Sequence, residues 1–171
     1  MQRSLRDSFT GAIRDVQPSD IEAILAIEEN CFPSEERYSR ELLQDYLDAS
    51  LRNPAVPMLI AVPDSSTKGP AGCALGWIEK DGSGEVASLA VTKEYEGHGL
   101  GRALLDRVSK SLQEAGANKL VLQVHVDNAS AIHLYETSGF VKTKILPKYY
   151  GKKDGIEMAK PLKKPAANPQ P

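Results

Sequence analysis

Between Glu85 and Leu112 the hydrophobic period of the chain changes within a few residues. Val86, Leu89, Ala90 and Val91 make a short apolar run, and period-two alternation puts Glu85, Ala87, Leu89 and Val91 on one face of a strand. From Leu104 onward, Leu104, Leu105, Val108 and Leu112 follow helical spacing. Gly97, Gly99 and Gly101 lie between the two patterns. A strand that turns so abruptly into an amphipathic helix needs a sheet for the helix to pack back on, which restricts the chain to mixed α/β architectures. Glycines at alternate positions let backbone N–H groups crowd around one point without Cβ atoms in the way. A helix starting there adds its unpaired first-turn donors and the positive end of its dipole. The stretch therefore reads as a cradle for a phosphate or pyrophosphate, although the same glycines also suit a plain tight turn.

The remaining patterns supply the sheet and its helices. A strand is expected at Ala12–Val16, then a helix with Ser19 as N-cap, Glu22 completing a capping box and Ile21, Ile24, Leu25 and Ile27 as its buried stripe. Pro33 breaks that helix, and Ser39 caps a second one carrying Leu43, Tyr46, Leu47 and Leu51. Pro57–Val62 and Ala71–Glu79 pair as a hairpin around a polar turn at Asp64–Pro70, and Asp81–Gly84 turns into the central strand. Gly116 stops the central helix. Leu120, Leu122, Val124 and Val126 alternate along the next strand, leaving Val121, Gln123 and His125 on its other face. Asn128 caps a short helix, Ala129–Thr137, and two closing strands, Phe140–Leu146 and Ile156–Leu162, flank a loop at Lys148–Tyr150. The expected order is β, α, α, a three-strand meander, then β-α-β-α-β-β. It describes one domain over residues 11–162, with a flexible tail at 1–10 and a disordered proline-rich tail at 163–171.

Composition narrows the function classes. With 41% apolar and 26% charged residues in 171, the chain can bury a core. A net charge of −2 argues against nucleic acid as a partner, since phosphate backbones select basic surfaces. No apolar run approaches the roughly 20 residues of a membrane span, and the N-terminal MQRSLRDSFTG lacks the apolar stretch of a secretory leader. The two cysteines, Cys31 and Cys73, suggest neither a disulfide framework nor a zinc site. A cytoplasmic location without membrane attachment is expected.

The glycine segment matches neither the P-loop G-x-x-x-x-G-K-[ST] nor the dinucleotide-binding G-x-G-x-x-G pattern. Leu89-Ala90-Val91 followed by Gly99-Leu100-Gly101-Arg102-Ala103-Leu104-Leu105 instead resembles the acetyl-coenzyme A loop of the GNAT acyltransferase superfamily. A second block agrees: Asn128-Ala129-Ser130-Ala131-Ile132, then Tyr135, then Gly139-Phe140 resembles that superfamily's N-x-x-A-[IR]-x-x-Y-x-x-x-G-F signature. The resemblance runs from about Gly11 to Leu162 and is strongest to protein N-terminal acetyltransferases, of the bacterial ribosomal-protein alanine type and the archaeal and eukaryotic catalytic-subunit type. It implies a central mixed sheet flanked by about four helices, and acetyl-coenzyme A as co-substrate without a metal. The implied cofactor contacts are Leu89, Ala90 and Val91, then Gly97, His98, Gly99, Leu100, Gly101, Arg102 and Ala103, then Asn128, Ala131 and Tyr135. Phe32, Pro33 and Tyr38, with Tyr149 and Tyr150, sit where those relatives line the slot for the peptide's first residues. Each of these aromatics taken alone is equally suited to a core.

Two positions depart from the pattern. The loop opens with Glu96-Gly97 where relatives carry Gln or Arg followed by Arg, and a carboxylate beside a pyrophosphate is unfavourable unless it points to solvent. Twelve residues before the signature tyrosine, many relatives have Glu or His as a proposed base, and here that residue is Gln123. An amide takes no proton at neutral pH but can hold a water. Glu85 is the expected replacement, with a solvated strand-end charge as the alternative; His125, on the Gln123 face, is a second candidate. Tyr135, by resemblance, is the general acid near the sulfur. A free α-amine with a pKa of about 7.7–8.0 needs little help to lose its proton, whereas neutralising a lysine at pH 7 costs about 4–5 kcal/mol. The sequence thus points to acetyl transfer onto protein or peptide N-termini. A lysine or small-molecule acceptor, or a catalytically weak acyl-coenzyme A-binding module, stands as the alternative, and an auxiliary subunit or ribosome association is left open.

Overall fold

The computed structural model describes residues 8–65 and 69–163. Among these the elements are β1 (Gly11–Asp15), α1 (Ile21–Cys31), α2 (Arg40–Ser50), β2 (Met58–Pro63), β3 (Gly72–Ile78), β4 (Gly84–Val91), α3 (Leu100–Glu114), β5 (Lys119–His125), α4 (Ala129–Thr137), β6 (Val141–Tyr150) and β7 (Lys153–Pro161). The seven strands form one sheet in the order β1-β2-β3-β4-β5-β7-β6. All neighbours are antiparallel except β4 and β5, the pair that α3 connects. The mixed sheet with flanking helices is the fold class expected from the order of sequence patterns.

Helices cover both faces. On one, Leu104, Leu105, Val108 and Leu112 of α3 and Ile132 and Tyr135 of α4 pack on Leu59, Ala74, Val86, Leu120, Leu122 and Val124. On the other, Ile24 and Ile27 of α1 and Leu43 and Leu47 of α2 pack on Met58, Ile60, Cys73, Leu75 and Ala90. Burying both faces of the central strands is what makes β2 and β3 read as nearly continuous apolar runs. Phe9, expected in the leading tail, packs edge-on against Tyr95 with ring centroids 5.9 Å apart. Residues 1–7 of that tail, 66–68 of the Asp64–Pro70 turn and 164–171 of the closing tail lie outside the described residues.

Several local expectations are corrected. Ser19 caps nothing: Pro18–Asp20 is a 3-10 turn, and the Asp20 carboxylate accepts from the Gln17 N–H at 2.7 Å while Arg14 grips it from β1. Glu22 is drawn away to Arg40, at 2.8 Å. Leu51 follows α2 as its C-cap and stays exposed rather than joining the buried stripe. Lys148–Tyr150 is not a loop, because β6 continues through it as a bulged strand in which Lys148 takes a positive φ of 52° and Tyr150 pairs with Lys153. Finally, Glu85, Ala87, Leu89 and Val91 do not share a face. Leu75 and Gly76 of β3 pair with Ser88 and Val86, so Ala87 is an extra residue that reverses the alternation of β4. Ala87 turns toward α1 and α2, and Leu89 and Val91 toward α3. Ser39, in contrast, caps α2 as expected, accepting from the Leu42 N–H at 3.2 Å.

Candidate active site

The sheet divides at its centre. The β4–β5 ladder consists of two pairs, Gly84 with Leu120 and Glu85 with Val121. Beyond them each strand keeps only its outer partner, β3 for β4 and β7 for β5, so β1–β4 and β5-β7-β6 form two arms that diverge. Backbone groups along the inner edge of β4 from Val86 onward are thereby left to pair with something other than β5. The bulge at Ala87, formed against β3, lies in the same stretch of β4, and the Tyr38 hydroxyl donates to the Ala87 carbonyl at 3.5 Å.

Glu85 stands at the root of the split. Burial pushes its carboxyl up to about 7, a hydrogen bond from the Gln123 amide holds it back, and the charges of Glu79 and Glu157 push it further up. Glu85 and Gln123 are therefore partners across the gap, which the expectation that one replaces the other did not state. Glu157 pairs with Gln123 in the β5–β7 register and takes Thr143 at 3.0 Å and Lys144 at 3.5 Å. Alternation along β5 buries Leu120, Leu122 and Val124 under α3 and leaves Val121, Gln123 and His125 on the opposite face, as the sequence predicts.

On the α3 side lies the glycine turn. Gly97 and Gly99 have φ of 77° and 81°, and Gly99 is the N-cap of α3 with no side chain capping the helix. A Cβ built on Gly99 meets nothing within 4 Å, so there is open space beside the start of α3, and no acidic residue occupies its first turn. Gly101 serves packing: a Cβ there would sit 3.4 Å from Leu134 of α4. Arg102 reaches the end of α4, donating to the Ser138 hydroxyl at 3.0 Å and to both oxygens of Thr137. Ala103 bonds back to Gly99 as the first helical turn closes. His98 is half-buried and Glu96 is exposed, the orientation under which its charge is tolerated. Asn128 caps α4, accepting from the Ala131 N–H at 3.1 Å. Tyr135 is buried, which pushes its phenol up to about 12 and keeps it protonated as a donor. The open turn and the divergent strands fit an elongated ligand with an anionic end, such as acetyl-coenzyme A.

The α1 side carries the aromatics. Phe32 is half-buried and Pro33 exposed in the loop after α1. Tyr38 is pushed up to about 12 by burial, with Tyr46, Glu28, Tyr149 and Glu85 adding to it. Tyr149 is raised by burial and then by Glu85 and Glu157. Tyr38 from one arm and Tyr149 from the other thus both feel the Glu85 charge. Tyr150 is raised by burial and by Tyr149, Glu36, Tyr135 and Tyr38, so it lies between the two aromatic arms and the Tyr135 side of the cleft. Its ring stacks on His125 with centroids 3.6 Å apart, while Tyr149 meets Tyr150 edge-on at 4.9 Å. A Cβ on Gly155 would come within 3.2 Å of both tyrosines, so this β7 glycine makes room for the two β6 side chains.

Three participants escaped sequence reasoning. Glu36 meets His125 Nε2 at 3.0 Å from a residue 89 positions away, and no sequence signal marks such a pair. Glu157 becomes visible only with the β5–β7 register. Glu28 was legible, since it lies four residues from Ile24 on the apolar stripe of α1; burial raises its carboxyl, and it accepts from the Tyr38 N–H at 3.4 Å.

Comparison with known proteins bears on this geometry. The profile of the acetyltransferase (GNAT) family matches residues 21–140. An N-alpha-acetyltransferase of Saccharolobus solfataricus is 31% identical over 160 residues, covering 88% of this chain and 92% of that protein. The ribosomal protein bS18-alanine N-acetyltransferase of Escherichia coli K12 is 42% identical over 79 residues, and the matched stretch spans about half of it, 53% of its length. The crystal structure of the ribosomal-protein-S18-alanine N-acetyltransferase from Escherichia coli superposes with a TM-score of 0.75 at 25% identity, covering 94% of this chain and 97% of that one.

Proposed function

The chain belongs to the acetyltransferase (GNAT) family, and from that premise we propose that it is an N-alpha-acetyltransferase acting on the free α-amino group of protein or peptide N-termini, with acetyl-coenzyme A as donor. The donor supplies an activated acetyl thioester when bound; the rest of the chemistry falls to the chain. The glycine turn and the N-terminus of α3 hold the anionic end of the donor through main-chain N–H groups. The inner edge of β4 orients the donor's arm as a further strand would. A backbone N–H near Leu89–Val91 stabilises negative charge developing on the thioester oxygen. The protonated Tyr135 hydroxyl donates to the departing sulfur, and Glu85, steadied by Gln123, takes the proton of the attacking amine directly or through a water.

The observation that carries the substrate reading is the 31% identity to an N-alpha-acetyltransferase over 88% of this chain, and the Glu85 carboxyl, pushed up by burial to about 7, is in keeping with it. That value is within roughly one unit of a free α-amine and about three units short of a lysine, a shortfall of about 4–5 kcal/mol. Transfer is direct. Cys31 is pushed up to about 11 by burial, Glu28 and Glu96, and burial raises Cys73 further still, so neither supplies a thiolate at neutral pH.

The test is coenzyme A release with three acceptor sets: peptides with free N-termini beginning Ala, Ser or Met; the same peptides N-blocked but containing lysine; and polyamines with aminoglycosides. Turnover confined to the first set is expected. Turnover only on lysine or small amines would overturn the substrate assignment. Acetyl-coenzyme A binding without turnover on any set would make the chain an acyl-coenzyme A-binding module.

A further inference from the structure

We propose that Arg102 is a positioning residue: reaching from the first turn of α3 to the last turn of α4, it fixes where the Tyr135 hydroxyl stands relative to a donor held at the start of α3. The inference deepens the acetyltransferase reading and rests on it for the roles of α3 and Tyr135.

By resemblance Arg102 is a donor contact, and its backbone lies in the turn that suits that part. Its guanidinium is engaged elsewhere. Nη1 donates to the Ser138 hydroxyl at 3.0 Å and to the Thr137 carbonyl at 3.4 Å, and Nη2 donates to the Thr137 hydroxyl. Each hydroxyl passes the interaction on: Thr137 donates to the His133 carbonyl at 2.8 Å, and Ser138 to the Leu134 carbonyl at 2.7 Å. Donors and acceptors chained in this way polarise one another. The chains end on the turn that carries Tyr135, whose own carbonyl accepts from the Ser138 and Phe140 N–H groups at 3.0 Å each. A cation is favoured at this C-terminal end of α4, whereas the dipole of its own helix opposes it at the start of α3.

The short helix needs this support. α4 has nine residues, fewer than the roughly 12–15 below which an isolated helix is marginal. Asn128 caps its start and Arg102 grips its end. Gly101, next to Arg102, lets the two helices close on each other, since a Cβ there would already touch Leu134 at 3.4 Å. Tyr135 is buried against Phe140, with ring centroids 5.9 Å apart, so its hydroxyl goes where its helix goes. Ala103 is the first residue of α3 whose N–H bonds back to Gly99, so the N–H of Arg102 is the last of the unpaired donors at that terminus. One residue thus offers its backbone to the donor's anionic end and anchors the helix of the general acid with its side chain. A donor that orders the start of α3 thereby orders α4 as well.

The test uses Arg102→Met, Arg102→Lys and Thr137→Val together with Ser138→Ala, each with and without Tyr135→Phe. In Arg102→Met, kcat for an N-terminal peptide should fall about tenfold or more while the Kd for coenzyme A stays within about threefold, the pattern of a misplaced group rather than a lost ligand. Arg102→Lys keeps the charge but not the fork, and should recover little of that loss. The Thr137 and Ser138 variant leaves Arg102 in place and should lose kcat to the same degree. Combined with Tyr135→Phe, none of these changes should slow turnover further, because all act through one hydroxyl. Weaker coenzyme A binding at an unchanged kcat, restored by Arg102→Lys, would make Arg102 a phosphate ligand and overturn the proposal; so would losses that add to that of Tyr135→Phe. Amide hydrogen exchange reads the same link without any acceptor. Residues 129–138 should exchange faster in Arg102→Met and in the Thr137 and Ser138 variant, with β2 and β3 unchanged, and coenzyme A should protect these residues in wild type alone. Unchanged exchange sinks the proposal even if N-terminal acetylation holds, and faster exchange confined to α4 supports it even if the acceptor class proves different.

Discussion

At the scale of single residues, Glu85 is where burial and chemistry meet. Its carboxyl lies at about 7 against an ordinary 4.5, because the folded chain removes much of its water. The folded state therefore binds this proton more tightly than the unfolded state. Its contribution to stability is full below about pH 4.5 and is lost as pH rises through about 7. Glu85→Gln, which does not ionise, should unfold at higher urea than wild type at pH 8, an advantage that disappears at pH 4. The same variant should lose the part of the rising limb of kcat/KM near pH 7 and keep only that of the α-amine itself at about 7.7–8.0, with turnover at pH 8 down about a hundredfold, the usual range for a lost general base. A retained enzyme limb near pH 7 would assign the base elsewhere. The candidacy of Glu85 came from its place in the central strand, where some members of the superfamily the sequence resembles carry a carboxylate. Its hydrogen bond to Gln123 was not, because β4 and β5 touch over only two pairs and sequence period says nothing of register between parallel strands.

At the scale of elements, the unit of β4, glycine turn and α3 is legible almost whole, since the change of period and the glycines are local signals. Gly99 has a φ of 81° and empty space where a Cβ would stand. Gly99→Val should therefore leave the core packing untouched and cost about 1–2 kcal/mol for the left-handed backbone. It should reduce acetyl-coenzyme A affinity at least tenfold, measurable by titration calorimetry; wild-type affinity would remove the turn from the donor site. Caps show the limit of local reading. Ser39 acts as expected because nothing competes for the start of α2. The start of α1 is decided by Asp20, which Arg14 of β1 holds with two hydrogen bonds at 2.7 and 3.0 Å. That carboxyl is held below its ordinary value chiefly by Arg14. The bulge at Ala87 is equally invisible to an alternation count, which silently assumes that no strand gains a residue.

At the scale of the molecule, the active cleft exists because the two arms meet over so short a ladder. Gly84 is the hinge point: a Cβ there would lie 3.0 Å from Ala117 Cβ, 3.1 Å from Leu120 Cδ2 and 3.2 Å from Leu112 Cβ. Gly84→Val should wedge the arms, destabilising the fold by about 1–3 kcal/mol as overpacked cores are. It should also lower kcat/KM for N-terminal peptides, although the residue contacts neither substrate. A loss of stability with activity intact would show that the arms do not set the cleft. The split also joins two faces that helices otherwise seal: the glycine turn and Tyr135 approach from the α3 and α4 side, Glu85 and the tyrosines from the α1 and α2 side.

By itself, then, the sequence determined the elements, the mixed sheet, the glycine turn and most of the residues that gather at the cleft. Those depend on period, caps and backbone freedom within a few neighbours along the chain. Tertiary structure alone decided which of those residues are partners. Gln123 with Glu85, Glu36 with His125, Tyr150 over the imidazole and Gly155 beneath the tyrosines all follow from register and from the angle between two arms. Most of these contacts join positions tens of residues apart, and all form only once the core has fixed where each strand lies.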